Sequence, residues 1–498
     1  MAITPVVEAS AQQRETRRSV VRNTVYLTLS QAVTVPLAVV VNALTARYLG
    51  AEAFGYMYLA GTFAGFGILV VGWGHEGVLP ALVAQNHSLA GILLGSSFAW
   101  RAGLGALVYA VLVVLCHLLG YDSEMQWALG LSFLCAVLTS CVAACKDTIR
   151  GFERADIPAV AHVGQQILWA CLVAPALLLG GRMRTVLWVA IATVVIVLAV
   201  MLRTLKPVGV GKLAIGKDAL KSLFVGGTPF VFVGLAMALQ PNIDAVYLSK
   251  LSSVEAVGWY AVARRLVGLL VFPASALIGA LYPTLCRLWV DDRDEFLRVT
   301  RGSLHSVSLL VMPIALGCAL YPDIGIAIFS KKNFGPAADD LRVLSLFLFL
   351  VYFTMPLGTC LLASGRQRIW SGVQSLCVLV SLVLDPLLTP WFEARFKNGG
   401  LGPCVASVAS ELIVIGCALV LMPPGVFDAR LRRTLLFALL SGLAMALVAY
   451  SLRSISPFLG APVAVGAYVG VLFLTGELNR SHVAKLKDTV ARRLMRAR

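Results

Sequence analysis

Three arginines and three carboxylates stand at places where an apolar chain should carry no charge. Arg101, Arg264, Arg265, Asp244, Asp385 and Glu411 each fall inside an apolar run long enough to span a bilayer. Ionised groups at membrane depth are costly, so those that persist mark a substrate or ion pathway, or pair with one another. Guanidinium groups suit phosphate or diphosphate oxygens, which they grip through forked N–H donors. Carboxylates beside hydroxyls and freed carbonyls suit Na⁺ or a proton relay. Ser381 lies one turn before Asp385 on the same helical face, and Ser407 falls at a comparable level. The Asp385-Pro386 and Gly402-Pro403 pairs free backbone carbonyls nearby. Asp244, Asp385, Ser381, Ser407 and Glu411 are therefore the candidate cation-coupling residues. The alternative is that each Asp caps a helix or pairs with a nearby arginine.

The candidate cationic site comprises Arg265, Arg264, Arg101, Arg47 and Lys250. Adjacent helical positions point about 100° apart, so Arg264 and Arg265 do not share one partner, and Arg265 is the one expected to face the interior. For Arg101 the alternative is a structural ion pair with Glu76. For Arg47 and Lys250, which end corresponding apolar runs, it is interfacial snorkelling. No acidic residue occurs between Glu15 and Glu52. The amino-terminal half is thus cationic within the membrane, which favours an anionic substrate over an organic cation.

The elements that position these groups are helices. The 498 residues are 59% hydrophobic and only 13% charged, with a mean hydropathy of +0.85. A soluble chain of this length could not hide so much apolar surface. Periodicity predicts fourteen spans, near 25–47, 57–79, 93–118, 127–146, 159–179, 185–202, 226–248, 262–285, 304–328, 341–363, 370–390, 401–422, 434–452 and 458–475. With a cytoplasmic amino terminus, inner segments hold 28 of the 41 Lys and Arg. This positive-inside bias places both termini in the cytoplasm. The net charge of +16 is then topology and attraction to anionic lipid rather than nucleic-acid binding. The polar amino terminus reads as lacking a cleavable signal. Residues 478–498 alternate apolar and basic faces at helical spacing, as expected of a helix lying on the inner leaflet. The eleven cysteines show no metal spacing. There is no ATP-binding motif, since Gly209-Val210-Gly211-Lys212 lacks the phosphate-loop spacing.

Residues 47–82 are echoed 203 positions later. Glu52, Ala53, Gly55, Ala60, Gly65, Pro80 and Leu82 answer Glu255, Ala256, Gly258, Ala263, Gly268, Pro283 and Leu285. Two like bundles that cross in the same direction are the plan of a transporter. A weaker echo joins Arg150-Gly151-Phe152-Glu153-Arg154 to Ser364-Gly365-Arg366-Gln367-Arg368 at an offset of 214, so the second half carries an insertion. The expected organisation is an amino-terminal tail (1–22), an N-lobe (23–221), a C-lobe (222–428), an appended helix pair (429–476) and an amphipathic tail (477–498).

The run Ala46-Arg47-Tyr48-Leu49-Gly50, with Glu52 and Phe54-Gly55-Tyr56, resembles the first external loop of Wzx-type polysaccharide flippases. These belong to the multidrug/oligosaccharidyl-lipid/polysaccharide exporter superfamily. Asp244, Glu255-Ala256-Val257-Gly258-Trp259-Tyr260 and Pro283 resemble that family's seventh and eighth helices. Leu361 to Gly365, Asp385 and the Gly399-to-Ser407 stretch resemble its tenth to twelfth. Asp385 stands where many members carry Asn, and Pro403-Cys404 departs from the usual small residues. The resemblance implies an all-α membrane fold with two six-helix lobes around a cationic cavity, plus two carboxy-terminal helices. It implies alternating access, with Asp244, Ser381, Asp385 and Ser407 near a Na⁺ site and Arg265 near the diphosphate.

The implied substrate is an undecaprenyl-diphosphate-linked oligosaccharide, turned across a bacterial inner membrane for exopolysaccharide, O-antigen or capsule synthesis. Coupling to Na⁺ or H⁺ is left open, and no other cofactor is expected. Expected partners are membrane lipids and the polymerase and chain-length or export proteins of the same pathway. Two alternatives remain within the superfamily: a flippase for the lipid-linked peptidoglycan precursor, and a multidrug/cation antiporter. A membrane glycosyltransferase or polymerase is disfavoured, because the sizeable external loops such enzymes need are missing.

Overall fold

The structure is a computed structural model that describes residues 4–154, 156–327, 329, 334–452 and 457–477. Its helices are α1 (Thr4–Gly72), α2 (His75–Gln85), α3 (Ala90–Leu118), α4 (Ser123–Gly151), α5 (Asp156–Leu178), α6 (Met183–Val208), α7 (Lys217–Leu251), α8 (Val254–Asp291), α9 (Arg293–Leu320), α10 (Pro322–Ala327), α11 (Gly335–Ala363), α12 (Gln367–Phe396), α13 (Leu401–Leu421), α14 (Ala429–Leu452) and α15 (Pro457–Leu474). No strand occurs among the described residues, so the expected all-α fold is the one observed. Eleven helical segments among the described residues are long and apolar enough to cross a membrane. The chain is a multi-pass membrane protein.

The count differs from the fourteen expected for identifiable reasons. The first two expected spans run into one helical segment, Thr34–Gln85, through a kink at Gly50 (φ 81°, ψ 175°). The seventh and fourteenth fall on α7 and α15, which are not among the eleven. Helix α1 begins at Thr4, so the chain from there enters the first span without a break. The carboxy-terminal amphipathic helix lies outside the described residues.

The chain divides into two compact units, Met1–Val246 and Tyr247–Arg498. Most of α7 therefore falls within the first unit. In the first unit α2, α3, α4 and α6 close on a core that includes Leu79, Leu94, Cys145, Ile149 and Met201. In the second unit α9, α11, α12 and α13 close on Phe296, Leu357, Cys360, Trp370 and Val414. Helices α14 and α15 pack onto α9, where the Tyr468 hydroxyl donates to the Leu309 carbonyl (2.9 Å) and the Tyr321 hydroxyl to that of Ala449 (3.1 Å).

Two helix pairs show the sequence repeat in the structure. Ala90 and Arg293 each open a helix of similar length, 203 residues apart. Helices α4 and α11 both have 29 residues, but the short α10 precedes α11. That extra helix is where the offset widens. Gly50, at the kink of α1, corresponds to Ser253, which instead starts a fresh helix by accepting from the Ala256 N–H.

Helix α12 shows how a membrane helix inverts the soluble pattern. Leu379, Val383 and Leu387 form an exposed apolar stripe, while Ser381, Asp385 and Thr389 form a buried polar one. The apolar face suits lipid, and the polar face is turned into the bundle.

Candidate functional site

In the first unit the helical run that began at α1 breaks between Gly72 and His75. Trp73 (φ 43°) and Gly74 (φ 65°) both adopt left-handed backbone, a conformation costly for a tryptophan. The break is held from α7. Trp73 donates from its indole to the Phe224 carbonyl (3.2 Å) and stacks on the Phe224 ring with centroids 5.1 Å apart. A side chain at Gly74 would meet the Cβ of Phe230 at 2.6 Å, so α7 lies directly against the interruption. Interrupted helices at membrane depth are a recurrent way to build a binding site, because they expose helix ends.

The break places His75 first in α2. Helices α2 and α3 form a tight hairpin through His87–Leu89, and His75 and Arg101 lie equally far from its tip, on opposite arms. Equal distance from the tip brings the two side chains to one height. Arg101 Nη1 lies 3.1 Å from His75 Nδ1 and also donates to the Ser97 hydroxyl and carbonyl. Arg101 is 2% exposed and His75 wholly buried. A guanidinium only donates, so Nδ1 accepts and the imidazole carries its proton on Nε2. His75 Nε2, Trp100 Nε1 and Arg101 Nε are all buried without a hydrogen-bond partner. The cluster thus holds three N–H donors that require acceptors.

The alternative given for Arg101, an ion pair with Glu76, is not formed. Glu76 is exposed, and the hydrogen bonds of Arg101 go to His75 and Ser97. Glu76 is one position past the residue that the hairpin register sets opposite Arg101.

Arg101 also heads a groove of about 650 Å³ between α3 and α4. One wall follows α3 through Gly105, Ala106, Tyr109 and Val113. The other follows α4 through Gln126, Trp127, Gly130, Leu134 and Val137, with Trp188 of α6 beside it. Small residues on both helices open the groove, and Tyr109, Trp127 and Trp188 are half-exposed along it. It is an apolar channel with a buried cation at one end.

In the second unit α12 and α13 meet in a polar seam. Asp385 is fully buried, Ser381 3% and Ser407 7% exposed. The Ser381 and Ser410 hydroxyls are 3.4 Å apart. A side chain at Gly402 would strike the backbone of Thr389 at 2.7 Å, so the helices touch main chain to main chain. Glu411, on the same helix as Ser407, is engaged elsewhere: it accepts from the Thr354 hydroxyl of α11. Arg264 stacks its guanidinium 4.8 Å over the Phe347 ring of α11.

Ser381 and Asp385 thus share the buried face of α12, Ser407 is buried on α13, and Glu411 is engaged by α11. Asp244 is buried on the part of α7 that belongs to the first unit. Arg264 and Arg265 are both half-buried, and Arg264 is the one stacked on α11. Arg47 and Lys250 are exposed. Among the described residues no group of three or more His, Cys, Asp or Glu side chains is placed to hold a metal ion.

Two features escaped the sequence reading. His75 sits in a Gly-Trp-Gly-His run whose paired glycines are the only signal of the break. Asp340, wholly buried at the start of α11, accepts from the Asn398 amide (2.9 Å). That bond ties the α12–α13 turn down, yet neither residue lies in a motif.

A family model described as "Polysaccharide biosynthesis protein" matches residues 20–289. The capsular polysaccharide biosynthesis protein CapF of Staphylococcus aureus is 21% identical over 201 residues, which are 39% of this chain. The chain spans about half (48%) of the length of that curated relative. Among solved structures, an inward closed conformation of the lipid II flippase MurJ aligns with a TM-score of 0.70 at 14% identity, covering 91% of this chain and 98% of the other. An inward-facing multidrug resistance MATE family transporter of the MOP superfamily aligns with a TM-score of 0.61 at 14% identity, covering 83% and 98%. At these identities the structures establish the shared fold.

Proposed function

The chain belongs to the polysaccharide biosynthesis protein family, and from that premise we propose that it is a flippase for lipid-linked oligosaccharide. The substrate is an undecaprenyl-diphosphate-linked repeat unit, carried from the cytoplasmic to the outer leaflet of a bacterial inner membrane. Both termini lie in the cytoplasm under this reading.

The observation that carries the proposal is Arg101 at the head of the α3–α4 groove. A lipid diphosphate presents anionic oxygens joined to a long hydrocarbon chain. Arg101, with the unpartnered N–H groups of His75 and Trp100, offers donors for those oxygens. The apolar groove offers the prenyl chain a path on which it never leaves a lipid-like environment. Organic cations would meet a positive charge there, which argues against the antiporter reading.

Coupling is assigned to the α12–α13 seam, where Asp385, Ser381 and Ser407 supply oxygen atoms of the kind a hard cation or a proton prefers. Asp244 and Glu411 remain candidates for the same ion, and Arg265, Arg264, Arg47 and Lys250 for further substrate contacts.

The test is removal of the gene in a strain without a redundant flippase. Lipid-linked repeat units are expected to accumulate on the inner leaflet. Their arrival outside at the normal rate would refute the proposal. Loss of viability through accumulated peptidoglycan precursor would move the substrate to the other lipid-linked glycan.

A further inference from the structure

A second hollow of the first unit, about 1000 Å³ in volume, opens beside the kink of α1. We propose that it is a carbohydrate site that holds uncharged sugar residues. The proposal deepens the functional reading above, on which it rests for the presence of a glycan.

Six side chains carry the argument: Tyr48, Glu52, Tyr56, Glu124, Arg182 and Arg184. The kink at Gly50 lets Tyr48 and Glu52, on its two sides, line the same space. The turn between α5 and α6 brings Arg182 and Arg184, and the start of α4 brings Glu124. Several of these groups are already fixed. The Tyr56 hydroxyl donates to Asp122 (2.5 Å), and the other oxygen of Asp122 caps α4 at the Met125 N–H (2.9 Å). Arg184 donates to Glu124 (2.6 Å) and lies over the Trp127 ring, 5.3 Å from its centroid. Such preorganisation lowers the ordering cost of binding.

The chemistry of the lining selects the ligand class. The lining holds two carboxylates and two guanidiniums, Glu124 and Arg184 already paired, and Asp122 lies behind Tyr56, so the hollow has no net positive charge to attract a phosphate. What it offers is a dense mixture of acceptors and donors, together with tyrosine faces. Sugars present that combination: hydroxyls that both give and accept hydrogen bonds, and C–H faces that lie on aromatic rings. The volume is at the upper end for small-ligand sites, room for more than one sugar ring. The hollow is also separate in chemistry from the Arg101 groove, which is apolar and cationic.

The experiment uses the full chain in lipid nanodiscs. The probe is the water-soluble neutral oligosaccharide released by mild acid from the host's lipid-linked pool. Binding is read by saturation-transfer-difference NMR, with inorganic pyrophosphate as competitor. The wild-type protein should bind the oligosaccharide, and pyrophosphate should not displace it. Glu52→Gln and Arg182→Ala, both exposed positions, should each weaken binding roughly tenfold or more with an unchanged thermal midpoint. Tyr48→Phe should retain binding that Tyr48→Ala loses. No binding by the wild type, full binding by both charge variants, or displacement by pyrophosphate would overturn the site. Binding that persists in a protein shown not to flip lipid-linked glycan would uphold the site and remove only the functional reading.

Discussion

Arg101 and His75 are hydrogen-bonded across the α2–α3 hairpin, with 3.1 Å between Nη1 and Nδ1. The pair exists because the chain breaks at Trp73-Gly74, which makes His75 the first residue of a new helix. In the second unit the corresponding stretch lies within the continuous α8, and the position corresponding to Arg101 is Leu304, a buried core residue. The repeat supplies the frame in both units, and only the first has replaced an apolar contact with a cation.

This pairing makes a stability prediction. Arg101→Ala removes the donor that His75 Nδ1 and Ser97 share and leaves a void, so it should lower unfolding stability by about 2–4 kcal/mol. Arg101→Met fills most of the space without a charge, and should cost less than Arg101→Ala. Thermal unfolding in nanodiscs compares the two. Equal losses would mean that the lost donor, not the lost volume, sets stability there.

The interruption itself is predicted to be intolerant of side chains. Gly74→Ala adds a Cβ that collides with Phe230 at a positive φ, and should destabilise by about 1–3 kcal/mol. Gly103→Ala, at an open position of α3 with nothing within 4 Å, should be neutral or slightly stabilising. The same unfolding assay separates them.

The groove can be filled without touching the core. Ala106 is exposed and lines it, so Ala106→Trp should leave folding intact and cut transport of lipid-linked substrate by an order of magnitude or more. A transport rate near wild type in the folded variant would remove the prenyl chain from this groove.

The sequence made much of this legible, and the limits have physical causes. Apolar runs and positive-inside bias identify helices such as α3, α4 and α6, because lipid permits little else. Ala90 and Arg293 open helices at the same offset of 203, although hydropathy alone places the two spans at 93–118 and 304–328. The Trp73-Gly74 break was hidden, since hydropathy does not change when a buried helix breaks. Arg101 was recognised as an intramembrane charge, but its partner was sought among carboxylates. A neutral imidazole can accept from a guanidinium as a carboxylate does, and it leaves no charge pattern to read. Ser381 and Asp385 were placed on one face by spacing alone, and both prove buried. Glu411 could not be separated from them, because its Thr354 partner lies 57 residues away on α11.

Ion coupling has its own test. Asp385→Asn preserves shape and removes the carboxylate from the α12–α13 seam, and should abolish any Na⁺ or proton dependence of transport while the protein remains folded. Asp244→Asn, assayed in parallel, reports on the buried carboxylate of α7. Unchanged ion dependence in both variants would exclude these groups from coupling.

Under the proposed function, Arg101 holds the diphosphate during transfer. Purified wild type and Arg101 variants, reconstituted in proteoliposomes with undecaprenyl-diphosphate-linked oligosaccharide, test it directly by the rate at which the glycan becomes accessible on the opposite leaflet. Rapid transfer is expected of wild type, partial transfer of Arg101→Lys, and a loss of roughly 100-fold of Arg101→Met, the kinetic equivalent of about 3 kcal/mol of lost charge-assisted hydrogen bonding. Transfer by folded Arg101→Met at the wild-type rate would contradict it.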